Sequence, residues 1–155
     1  MIKNFFISVE SGLGKIDKRL IHRLTGFLSK EFNFKIKTLE LNFISGNTIQ
    51  KLNKKYLDHD NSTDVITFDY SENNNKLEGE IFISINDAKH NAKKYRCTID
   101  KEIIRLIIHG ILHLIGYKDY RKEDRKKMKK AEDYILNKFY FLNKDNIILY
   151  DSKVC

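Results

Sequence analysis

The chain contains no proline and no tryptophan, only two cysteines, and no apolar run long enough to cross a bilayer. Without proline there is no proline-rich linker, and no repeat or other low-complexity segment divides the 155 residues. A chain of this length suits one domain, 1–155, with one sizeable core. Cys97 and Cys155 are too few for a disulfide framework and read as free thiols in a reducing compartment. The opening MIKNFFISVES has a short apolar run before Glu10 and no small-residue cleavage site, so no secretory leader is expected and the cytoplasm is the expected location. The most apolar stretch, 103–115, is interrupted by Arg105, His109 and His113 and falls short of the roughly 20 residues a membrane span needs.

Acidic residues are the scarcer charge. Against 21 Asp and Glu stand 29 Lys and Arg, a net charge of +8. An excess of this sign attracts polyanions through counterion release, and RNA is the natural candidate; neither DNA nor a membrane is expected as a partner. The same excess also fits a chain rich in Lys, Asn, Ile, Phe and Tyr because its coding sequence is AT-rich. Charge bears on association, not on chemistry.

Alternation over 4–9 predicts a strand, and Asp17 after the Gly12/Gly14 turn predicts a helix N-cap. Leu20, Leu24, Phe27, Leu28 and Phe32 follow at helical spacing. A second strand is predicted over 34–44, ended by Gly46, then a short helix carrying Ile49, Leu52, Lys55 and Tyr56 and a polar loop over 58–64. Runs at 65–70 and 80–85, joined by an Asn-rich turn at 73–75, predict a hairpin. Helices are predicted near 87–95, 100–114 and 123–139. Strands first and helices later indicate an α+β fold: one mixed sheet of about four strands covered by helices, with a central buried helix carrying the chemistry.

That helix, 99–115, is apolar nearly all round, yet Glu102, Arg105, His109 and His113 recur at spacings of three, four and four and so share one side. Buried polar groups are costly unless partnered, and a metal ion partners two imidazoles at once. His109 and His113, one turn apart, can reach one cation. Gly116 can reverse the chain in a left-handed conformation so that Asp119 swings back as a third ligand. Three protein ligands with a fourth position open describe a catalytic zinc site; a histidine pair that is merely hydrogen-bonded is the plain alternative. The spacing resembles that of metzincin proteases, but position 110 is Gly where those enzymes carry a Glu base, which points away from peptide hydrolysis.

The run His109-Gly110-Ile111-Leu112-His113-Leu114-Ile115-Gly116-Tyr117, with Met128 downstream, resembles the H-G-x-L-H-L-x-G-Y signature of the YbeY-type endoribonucleases. A second block agrees in order: Leu52-Asn53-Lys54-Lys55-Tyr56, Asp60, then 63–68, and Gly79-Glu80-Ile81. The resemblance implies an α+β fold, one zinc ion, cleavage of single-stranded RNA, and a role in ribosomal RNA maturation at the 16S 3′ end and in ribosome quality control, with the ribosome or its proteins as partners. Three departures stand out. Asp119, preceded by Lys118, occupies a position where the family commonly has a third His; Leu57 stands where an Arg often follows the tyrosine; and Ser62 replaces a usual Pro. A zinc peptidase and a non-catalytic ribosome-associated protein with a structural metal are the competing readings.

For substrate, Lys54 and Lys55 beside the polar loop and Lys118 beside the ligand are expected to hold the RNA backbone. Asp64 is a candidate for holding substrate or orienting a ligand histidine, against a turn-capping role. Arg105 faces either phosphate or Glu102. His59, in the loop, reads as solvated against the alternative of a ligand, and His22 and His90, on amphipathic helices, read as surface residues. The basic run 121–130 reads as the exposed face of a helix whose buried stripe is Met128, Ala131, Ile135 and Phe139.

Overall fold

The structure is a computed structural model that describes residues 1–57, 63–143 and 147–152. His59, Asp60 and Ser62 of the polar loop, and Cys155, lie outside the described residues. In chain order the elements are β1 (Phe5–Val9), β2 (Lys15–Ile16), α1 (Lys18–Phe32), β3 (Lys35–Ile44), α2 (Gly46–Leu57), β4 (Val65–Asp69), β5 (Lys76–Ser84), α3 (Ile85–Lys94), α4 (Ile99–Leu114), α5 (Lys122–Leu142) and β6 (Tyr150–Asp151).

Four strands form one mixed sheet in the order β1-β3-β5-β4, with β1 and β5 parallel to β3 and β4 antiparallel to β5. The α+β reading holds. A parallel neighbour requires a crossover, and each is supplied by the chain between strands: α1 lies between β1 and β3, and α2 with β4 between β3 and β5. Asp17 caps α1 as expected, its Oδ1 accepting from the amides of Arg19 and Leu20. At the other end Asn33 adopts a left-handed conformation, φ 54°, which Asn tolerates.

Successive strand residues face opposite sides. Leu39, Leu41 and Phe43 of β3 and Leu77, Ile81 and Ile83 of β5 face the main core with α1, α4 and α5. The other face is covered only in part: Ile44, Ile66, Phe68 and Phe82 pack against Ile49 and Leu52 of α2. α4 sits against β4 and β5 with residues buried on nearly all sides, the central buried helix predicted from its composition. Its close approach to the sheet needs Gly110, because a Cβ there would lie 2.9 Å from Cγ2 of Ile81. Gly110 is therefore a packing residue.

Two features escape the sequence reading. The two-residue strands β2 and β6 pair antiparallel across most of the chain's length, and His22, read as a surface residue, is half-buried. Its ring lies 4.9 Å from that of Phe5, and its Nδ1 accepts from the amide of Ile2. Burial, and then the nearby N-terminal charge, hold the His22 pKa below its ordinary value. His90 is exposed.

Candidate metal centre

α4 ends in a Schellman turn. The amide of Gly116 donates to the carbonyl of His113 (3.1 Å) and that of Tyr117 to the carbonyl of Leu112 (2.9 Å), with Gly116 at φ 109°. The reversal returns Asp119 to the helix it has just left. Asn74, in the turn between β4 and β5, lies so close to Gly116 that a Cβ there would meet its amide nitrogen at 2.8 Å, so the hairpin tip braces the turn.

Three donor atoms converge. Nε2 of His109 and Nε2 of His113 are 3.1 Å apart, Oδ2 of Asp119 is 3.3 Å from Nε2 of His113, and one ligand atom from each residue lies within 4.8 Å of the others. The opposite edges of both rings are already engaged. Nδ1 of His113 lies 3.0 Å from the carbonyl of Tyr117, and Nδ1 of His109 contacts a carboxylate oxygen of Glu132. A carbonyl or a carboxylate only accepts, so each Nδ1 donates, and in the neutral imidazole each Nε2 then presents a lone pair. Two lone pairs and a carboxylate oxygen therefore face one another with no donor among them. One proton would satisfy a single contact, whereas a cation satisfies all three. The nitrogen, nitrogen and oxygen donors fit a divalent metal.

Glu132 escapes the sequence reading. It is 5% exposed on α5, where it interrupts the apolar stripe one turn after Met128 and three residues before Ile135. A carboxylate inside an apolar stripe was the available signal, but it does not identify the partner. Behind it runs a polar chain. Arg105 donates to both oxygens of Glu102 at 2.8 and 2.7 Å, and its Nη1 is 3.8 Å from Glu132. Nδ2 of Asn91 lies 3.0 Å from Glu102 and 3.0 Å from Asp64. Glu102 is 1% exposed, so this fork meets the cost of burying it. The hydrogen bonds to Glu102 push the Arg105 pKa further above its ordinary value; burial opposes them, and the charges of Glu102, Glu132 and Asp64 add to them.

The residues read as substrate-binding are scattered by the fold. Asp64 and Arg105 join the chain that ends at His109. Lys118 is exposed beside Gly116 and faces a small hollow with Asn74. Lys54 and Lys55 are exposed on α2, which covers the opposite face of the sheet. Along the basic run at the start of α5, Arg121 at the cap pairs with Asp124 and Lys129 pairs with Asp133 on the surface.

The sequence model of the family described as "Endoribonuclease YbeY" matches residues 8–140. Proteins of that name are 45% identical in Cytophaga hutchinsonii, over 66% of this chain and 73% of that protein, and 45% identical in Karelsulcia muelleri, over 76% and 79%. A third, from Azobacteroides pseudotrichonymphae, is 34% identical over 86% of this chain and 95% of that protein. The solution structure of TM1509 from Thermotoga maritima superimposes with a TM-score of 0.65 at 26% identity, covering 97% of this chain and 96% of that one. The chain belongs to the YbeY endoribonuclease family.

Proposed function

We propose that this protein is a zinc-dependent endoribonuclease that cuts single-stranded RNA in ribosomal RNA maturation, at the 3′ end of 16S rRNA, and serves ribosome quality control in the cytoplasm. The observation that carries the metal-dependent part is the convergence of His109 Nε2, His113 Nε2 and Asp119 Oδ2 with no donor between them. Membership of the family carries the choice of RNA; the ribosome as partner rests on the motif resemblance alone. Among the described residues no helix is long and apolar enough to cross a membrane.

His109, His113 and Asp119 would hold the ion. It would supply Lewis acidity at an oxygen of the reacting phosphate or of water. The chain's own residues do the rest. Glu132 and the Tyr117 carbonyl fix both imidazoles in the tautomer that presents Nε2, and Arg105 places a fixed positive charge beside His109. Asp64 and Asn91 hold the far end of that chain. The peptidase reading loses support because position 110, where a protease base would stand, is packed against Ile81.

The test offers the purified protein two substrates, a single-stranded RNA and a mixed peptide library. The reading expects RNA cleavage and intact peptides, and it expects His113→Ala to abolish the cleavage. Peptide cleavage with untouched RNA would replace it by a peptidase.

A further inference from the structure

A cleft of about 570 Å³ opens from His109 and Asp119 and runs between α4 and α5 toward Tyr95. Lys101, Arg105 and His109 stand at intervals of four along its α4 wall, so Lys101 lies about 12 Å from His109 at a rise of 1.5 Å per residue. That reach accommodates more than one phosphate of an extended strand. Lys129 stands on the α5 wall.

The other cations of the cleft are committed. Arg105 is forked onto Glu102, and Arg125 braces the ligand loop by donating to the carbonyls of Asp119 (3.3 Å) and Tyr120 (3.1 Å). Lys101 is exposed, and its ammonium lies 5.6 Å over the Tyr140 ring. Lys129 is exposed and holds Asp133 only at 3.8 Å. Two exposed ammonium groups thus flank a groove that ends at the metal ligands. At its far end Tyr95 is 57% exposed, with the Lys94 ammonium 5.6 Å over its ring. Cations along a groove with an aromatic platform match single-stranded nucleic acid, whose phosphates and base faces recur along the strand.

We propose that single-stranded RNA occupies this α4–α5 cleft, its backbone between Lys101 and Lys129, a base on Tyr95 and the scissile phosphate at the His109 end. The inference rests on the endoribonuclease reading and refines where the substrate lies. It replaces the path over Lys54 and Lys55, which the fold sets on the other side of the sheet. Lys129, read from sequence as part of a solvated face, becomes a backbone contact.

The test measures affinity for a 2′-O-methyl RNA oligonucleotide across salt, with wild type, Lys101→Ala/Lys129→Ala and Lys54→Ala/Lys55→Ala, each checked for equal metal content. Each lost phosphate contact lowers the salt slope by about 0.7 for single strands, so the first pair should flatten it by about 1.4 and the second leave it unchanged. Tyr95→Ala should weaken binding at every salt without altering the slope, while Tyr95→Phe restores it. An unchanged slope in Lys101→Ala/Lys129→Ala, or the larger change in Lys54→Ala/Lys55→Ala, overturns the path while wild-type binding keeps the RNA reading intact. Wild-type protein that neither binds the oligonucleotide nor cuts unmodified RNA overturns that reading itself, and the path with it.

Discussion

At Asp119 a carboxylate completes a set whose other members are imidazoles, and it arrives from a loop, whereas both histidines stand on a buried helix. With its side chain 43% exposed it is the least buried of the three. Asp119→Ala should weaken metal binding, and Asp119→His should retain it, since imidazole is an equally good zinc ligand. Glu132→Gln should act more mildly: the amide still contacts His109, but as a weaker acceptor. Partners of this kind typically change metal affinity by about 10 to 100-fold when replaced. Competition titration against a zinc chelator ranks the variants, and an Asp119→Ala affinity equal to wild type would remove that residue from the ligand set. His22 makes a separate prediction. Because burial lowers its folded pKa below 6.5, its neutral form stabilises the fold above that value, and the contribution is lost as pH falls below 6.5 through the folded pKa. His22→Gln should lose less stability than wild type between pH 7.5 and 5.5 in urea unfolding; equal losses would contradict the assignment.

Among the elements, α4 and its terminal turn carry two glycines with different duties. At Gly110 an alanine gains about 1 kcal/mol of helix propensity, yet its Cβ would press within 2.9 Å of the stiff β-branched Ile81, and such overpacking costs about 1 to 3 kcal/mol. The expected result of Gly110→Ala is a modest net loss of stability with metal binding kept. Gly116→Ala meets both φ 109° and the Asn74 side chain, so it should cost about 1 to 3 kcal/mol and also weaken the metal by displacing Asp119. Thermal unfolding with metal titration of both variants checks the division, and normal metal affinity in Gly116→Ala would refute it. Features of this element were legible in the sequence because they are local: the i, i+4 histidines, the all-round apolar pattern and the glycine turn all fall between Ile99 and Gly116. The order β1-β3-β5-β4 was not, since strand pairing joins segments far apart in the chain. The Glu132 contact escaped for the same reason. It crosses from α4 to α5, and periodicity shows only that a carboxylate is buried, not what it meets.

Across the whole molecule, the two buried carboxylates, Glu102 and Glu132, are tied to half-buried polar groups in one connected chain from Asp64 through Asn91, Glu102, Arg105 and Glu132 to His109. The +8 net charge, read from composition alone, could not locate a binding surface. In the fold Lys101 and Lys129 stand on either wall of the cleft that ends at His109 and Asp119, the surface proposed for RNA, and Lys54 and Lys55 stand on α2, which covers the opposite face of the sheet. The central claim is that RNA cleavage depends on the ion held by His109, His113 and Asp119. Its most direct test is the rate of single-stranded RNA cleavage by the purified protein as isolated, after chelation and after zinc is returned. Chelation should abolish cleavage and zinc should restore it in wild type but not in His113→Ala; chelated protein that cuts at the original rate would refute the metal dependence.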